Sequence, residues 1–115
     1  MSKLIYKIVP EPLWRDAVNH GVFAGAAIDL TDGFIHFSTA AQARETASKH
    51  FADQHDLLLV AVDEDRLGPA LKYEVSRGGA LFPHLYGDLD LAAVAWVRPL
   101  PLGPDGAHQF PELDA

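Results

Sequence analysis

The sequence predicts a single α+β domain with a mostly antiparallel or mixed sheet, and three observations carry that reading. Short runs of strand-forming residues recur along the chain, two stretches show helical periodicity, and the two kinds do not alternate as βαβ units would. At 115 residues the chain suits one modest core over about residues 4–100. A proline-rich tail over residues 101–115 is expected to lie extended on the surface.

The elements follow in order. Leu4-Ile5-Tyr6-Lys7-Ile8-Val9 suits a pleated surface, and Pro10 ends it. A short helix comes next: Pro12 fits its first turn, Leu13, Trp14, Ala17 and Val18 make one apolar face, and Gly21 fits the exit. Residues 22–33, with Gly25, Asp29, Thr31, Asp32 and Gly33, read as a loop. Phe34 to Phe37 reads as the second strand. Alternation then places His36 with Phe34 and Ser38 on one face, and Ile35 and Phe37 on the other. Thr39-Ala40-Ala41-Gln42 fits a capping box that opens a second, alanine-rich helix through Ala43, Ala47 and Phe51.

Leu57 to Val62, "LLLVAV", is apolar on both faces and reads as a central strand. Leu71 to Ser76 alternates instead, with Leu71, Tyr73 and Val75 on one face and Lys72, Glu74 and Ser76 on the other. Glu74 therefore points to solvent or to a cleft, not into the main core. In residues 77–90 the glycines and a proline argue against a helix. Leu81, Phe82, Leu85 and Tyr86 are nevertheless too apolar for an ordinary surface loop, so the expectation is a shaped loop that anchors itself. Leu91 to Val97, again apolar on both faces, supplies the last strand.

Charge and composition exclude several function classes. Sixteen acidic against nine basic residues leave a net charge of −7, a field that repels nucleic-acid backbones and anionic membranes. The absence of cysteine removes disulfides, thiolate nucleophiles and zinc-finger sites. No run approaches a membrane span and no secretory leader is evident, so the expected location is the cytoplasm. The six histidines lack a His-Glu-x-x-His pattern, and His50 and His55 are five apart, so no metal is expected. The serine-hydrolase elbow, the P-loop and the dinucleotide fingerprint are also missing.

The chemistry-bearing candidates form two groups. His36 and Ser38 share the mixed face of a strand that is otherwise apolar, where His36 either lines a pocket or simply satisfies a backbone carbonyl. Phe82-Pro83-His84-Leu85-Tyr86-Gly87 places a titratable ring and a phenol two residues apart. Glu74 is a strand carboxylate, able to stabilise positive charge or to act as a base. Arg77, Gly78 and Gly79 combine a cation with a pliable backbone suited to a phosphate, although Arg-Gly-Gly is also an ordinary turn.

With "DGFIHFSTAAQ" at 32–42, Glu74, "RGG" at 77–79 and "FPHLYG" at 82–87, the chain resembles the domain of unknown function 952 family from about Leu4 to Pro99. That resemblance implies an ADP-ribosyltransferase-like fold, a split and mostly antiparallel sheet with two main helices and a cleft for NAD. It implies a catalytic set of His36, Glu74, His84 and Tyr86, with Ser38, Arg77, Gly78 and Gly79 binding the nucleotide and NAD as substrate. In ADP-ribosyltransferases an early strand histidine bonds the nicotinamide ribose, an aromatic ring packs on nicotinamide, and a late carboxylate completes the site. Glu74 departs from that order, since it precedes His84 and Tyr86. The alternatives are a non-catalytic module that binds a nucleotide or small metabolite, and a structural or interaction domain.

Overall fold

A computed structural model describes residues 3–113, and the side chain of Arg77 lies outside the described residues. In chain order the elements are β1 (Leu4–Pro10), α1 (Glu11–His20), β2 (Val22–Phe23), α2 (Ala27–Asp32), β3 (Ile35–His36), α3 (Ala43–His50), β4 (Leu57–Asp63), β5 (Leu71–Val75), β6 (Leu81–Leu85), β7 (Leu89–Asp90) and β8 (Val94–Pro99), with single 3-10 turns between some of them. The architecture is α+β, and the paired strands run antiparallel.

"LLLVAV" becomes the middle strand of the main sheet, ordered β1-β4-β8. Its two apolar faces have separate destinations. Ile5, Val9, Val60 and Val62 pack with Trp14, Ala17, Phe23, Ile35, Phe37 and Leu85 on one side. Tyr6, Ile8, Leu57, Leu59 and Ala61 pack with Ala43, Ala47 and Leu100 on the other. Helix α1 closes the first layer and α3 the second, where the alanines let α3 sit close to the sheet. Helix α1 ends as expected, with Gly21 in the left-handed conformation and its N–H on the Ala17 carbonyl.

A second sheet, ordered β3-β6-β5, is joined to the first at one point. Tyr6 and Ser38 exchange two backbone hydrogen bonds of 2.8 Å, making a single antiparallel bridge from β1 to the residues after β3. The face assignment around His36 holds: Ile35 and Phe37 are core, while Phe34 and His36 lie ring against ring at 4.6 Å.

Several expectations are corrected. Residues 22–33 are not a loop but contain β2 and α2, so the described residues hold three α-helices rather than two. Glycine, aspartate and threonine signal turns, yet here they end a helix rather than replace one. The Asp29 carboxylate accepts the Ala26 N–H at 2.8 Å to begin α2, and Gly33 ends it in the left-handed conformation. Gly25 sits where a Cβ would lie 2.8 Å from the Asp29 Cβ, so the chain can pass only as glycine.

Residues 81–85 are likewise a strand, and a central one, despite Pro83. The Pro83 carbonyl accepts the Phe37 N–H at 2.9 Å, and its missing N–H falls on that same side, where the β3 ladder ends. Only half of the expected capping box forms. The Gln42 carboxamide accepts the Thr39 N–H at 3.0 Å, and the regular helix starts at Ala43. The same carboxamide donates to the Leu81 carbonyl at 2.8 Å and pins the turn to β6.

The last strand begins at Val94, because the Asp90 side chain caps a 3-10 turn over Leu91–Ala93. As an edge strand it is half-exposed rather than apolar on both faces. Val75 does not share the burial of Leu71 and Tyr73, for it pairs with Leu81 at the free end of the β5–β6 hairpin and is 70% exposed. The tail is folded onto the core rather than extended. Leu100 is buried, Leu102 bridges His108, and Phe110 packs against the second core cluster.

Leu59→Ala removes a fully buried side chain from the middle strand and is expected to cost about 2–5 kcal/mol in urea unfolding.

Candidate functional site

Beyond the Tyr6–Ser38 bridge the two sheets part, and a cleft of about 550 Å³ opens between them. Its walls come from β1, α2, β3, α3 and β6, and include His36, Ser38, Thr46, Ser76 and His84. Because strand peptides alternate, the Ile8 peptide groups turn to the same side as those of Tyr6, and Ile8 lies on the cleft wall. The cleft thus begins at an open strand edge.

One wall is built on a buried carboxylate. Lys7 shares the face of β1 that carries Ile5 and Val9 and is only 6% exposed. Its ammonium lies 3.1 and 3.2 Å from the two oxygens of Asp29, itself 2% exposed. Asp29 also accepts the His36 backbone N–H at 3.1 Å, and its carboxylate lies 2.6 Å from the His36 Nδ1. Burial alone raises the Asp29 pKa. The His36 ring, the Lys7 ammonium and the backbone N–H groups of Ala26 and His36 outweigh it and hold the carboxyl at about 2. Burial pushes the Lys7 ammonium down, and Asp29 opposes that shift.

The other His36 nitrogen, Nε2, lies 2.9 Å from an Asp32 carboxylate oxygen. Both ring nitrogens therefore face carboxylates, and a ring that satisfies both carries an N–H at each. His36 lines the cleft with its hydrogen-bonding capacity already spent.

The second wall is arranged differently. His84, buried in the middle of β6, sits across from His36 in the ladder, with ring centroids 5.4 Å apart. Phe34 stacks on the His84 ring at 4.2 Å and also meets Tyr86 at 5.2 Å. The His84 Nδ1 lies 2.9 Å from Glu74 Oε1, and the Tyr86 hydroxyl donates to the same oxygen at 2.6 Å. The Tyr86 phenol first, then the His84 ring, hold the Glu74 carboxyl below the ordinary range, while Glu74 raises the Tyr86 phenol. Nε2 of His84 has no hydrogen-bonding partner among the described residues, and the ring borders the cleft.

A family model described as "Protein of unknown function (DUF952)" matches residues 8–97. The chain belongs to the DUF952 family. The crystal structure of protein CC0527 from Caulobacter crescentus is 50% identical to it with a TM-score of 0.89, over 92% of this chain and 93% of that one. The solution NMR structure of CC0527 is also 50% identical, with a TM-score of 0.84 over 92% and 91% of the two chains. No curated protein matches this DUF952 chain.

In this DUF952 domain the four residues expected to be catalytic lie together, with the His36, His84 and Tyr86 rings around Phe34 and Glu74 bonded to His84 and Tyr86. His36 and His84 line the cleft, whereas Glu74 and Tyr86 lie behind His84. Ser38 lines it too, its hydroxyl 2.8 Å from that of Thr46. Gly78 and Gly79 form the β5–β6 turn with φ of +69° and +77°, and the cleft wall reaches only Ser76 before them. Arg77, expected to hold a phosphate, has its side chain outside the described residues. Among the described residues no three His, Asp or Glu are grouped to hold a metal, and no helix is long and apolar enough to cross a membrane.

Lys7, Asp29, Asp32, Phe34 and Thr46 were not singled out by sequence for the site. A signal for Lys7 was present, since its parity with Ile5 and Val9 buries an ammonium that then needs a carboxylate. Nothing in the sequence says which carboxylate that is.

Asp29→Asn leaves Lys7 buried without a countercharge and is expected to cost about 3–5 kcal/mol in urea unfolding at pH 7. The Asp29 carboxyl is near 3.9 when unfolded and about 2 when folded, so its contribution is complete above pH 4 and lost as pH falls through 2. Between those limits wild-type stability should drop by about 2 kcal/mol more than that of Asp29→Asn.

Proposed function

We propose that the cleft binds a nucleotide of the NAD class, in the manner of an ADP-ribosyltransferase-like domain. The observation that carries this reading is the parting of β1 and β3 just beyond a single bridge, with His36 and His84 side by side at the opening. The split sheet supports the fold relationship that the sequence resemblance implies. The open edge at Ile8 offers one peptide donor and one acceptor, the complement of a primary carboxamide such as that of nicotinamide. Ser76 adds a hydroxyl for a sugar or phosphate oxygen, and Ser38 and Thr46, whose protons run on to Thr46 and to the Gln42 carbonyl, add lone pairs for a sugar hydroxyl.

Cleavage of the nicotinamide glycosidic bond would send its electron pair to the leaving nitrogen, develop positive charge on the ribose, and end in a new bond from that ribose carbon to water or another acceptor nucleophile, which gives up a proton. Of the two carboxylates that hold His36, Asp32 lines the cleft and is the one placed to face that charge, while Asp29 is neutralised by Lys7. A second reading, a binding module without turnover, is favoured by one feature: both His36 nitrogens are held by carboxylates, so the ring has no N–H left for a ribose hydroxyl.

Calorimetry with NAD and ADP-ribose decides between them and tests both. One molecule is expected to bind per chain, and Ser76→Trp, which fills the cleft from an exposed position, should weaken binding at least about tenfold. Release of nicotinamide from bound NAD identifies an enzyme, binding without release identifies the module, and failure of either nucleotide to bind overturns the NAD reading.

A further inference from the structure

The two histidines of the cleft stand in opposite hydrogen-bonding states, and the difference comes from where their carboxylates lie. His36 meets a carboxylate at Nδ1 and another at Nε2, 2.6 and 2.9 Å away. His84 meets one, Glu74, at Nδ1 only. An ionised carboxylate can only accept, so the Glu74–His84 contact requires the proton on Nδ1. The lone pair of the neutral ring is then on Nε2, the nitrogen without a partner among the described residues.

We propose that His84, not His36, is the ligand-contacting histidine of the cleft, and that Glu74 is a positioning residue which fixes it as the Nδ1–H tautomer. Resting on the cleft-binding reading above, this narrows the ligand to one that presents a hydroxyl donor to Nε2, as a nucleotide ribose does. The rest of the arrangement serves the same end. Phe34 stacked at 4.2 Å fixes the plane of the ring, and its place opposite His36 in the ladder fixes its height. Tyr86 donates to the oxygen that His84 uses, which fixes the carboxylate rotamer. His36, held on β3 by two carboxylates of α2, is a strut of the wall.

The arrangement also explains why Glu74 precedes His84 in sequence yet lies outside the cleft wall. It reaches the ligand only through the histidine. Lys72 lies over the Tyr86 ring at 5.3 Å, so this end of the hairpin is braced by residues that do not touch the cleft.

Long-range proton–nitrogen NMR of the ligand-free protein, at a pH where the ring is neutral, reads the tautomer directly. Wild type and Glu74→Gln, whose carboxamide oxygen still accepts from Nδ1, are expected to show His84 as Nδ1–H. Glu74→Leu should lose that preference and bind ADP-ribose about tenfold more weakly, with Glu74→Gln close to wild type. His84→Gln should weaken binding at least as much as Glu74→Leu, and urea unfolding of each variant establishes that it is folded. An Nε2–H tautomer in wild type, or the same tautomer in Glu74→Leu, overturns the proposal. If instead wild type shows Nδ1–H but binds no ADP-ribose, the nucleotide reading fails and takes the ligand-contacting role of His84 with it, while the positioning of His84 by Glu74 stands.

Discussion

The Asp29 carboxylate takes a charge contact from Lys7 on β1, a hydrogen bond from the Ala26 N–H that opens α2, and two contacts from His36 on β3. Three segments, β1 and the neighbouring α2 and β3, therefore depend on one buried group. Burial of a lone carboxylate or ammonium is costly, and each of this pair is tolerable only because the other is present and the remaining lone pairs are satisfied. The consequence is positional. Helix α2 and strand β3 cannot drift from β1 without breaking charged contacts in a nearly dry environment, so the cleft between the sheets keeps its shape.

The sheets supply the rest of that shape. β4 is covered on both faces by apolar residues and anchors the main sheet, while β6 anchors the second. Their joint is the Tyr6–Ser38 bridge, after which the edges diverge. A cleft formed by diverging edges has unpaired peptide groups on one wall and strand side chains on the other. Such a wall is polar without carrying net charge, and it suits a neutral, hydrogen-bonding part of a ligand even on a chain with a net charge of −7.

Much of this was legible in the residues. The face split at 34–38, the double-sided "LLLVAV" strand, the exit of α1 at Gly21 and the alternation through Glu74 follow from period and turn chemistry, and they hold. Helix α2 was not legible, because its termini are set by Asp29 and Gly33, residues that read equally well as turn formers. Strand β6 was hidden by Pro83, which is acceptable there only because the neighbouring ladder stops. His36 was the residue that looked most functional, and its isolation in an apolar run was a true signal of a buried polar partner. That partner is Asp29, only seven residues earlier, concealed because residues 22–33 read as a loop.

The proposed ligand site is the parting of β1 and β3, with the Asp29 cluster as its frame and His84 as its contacting ring. The most direct measurement is an amide NMR titration of the protein with ADP-ribose. The largest shifts are expected at Ile8, Ser38, Thr46, Ser76 and His84, all on the cleft wall. Shifts concentrated instead on the groove between α3 and the tail, at Arg44, Gly106 and His108, would contradict this placement.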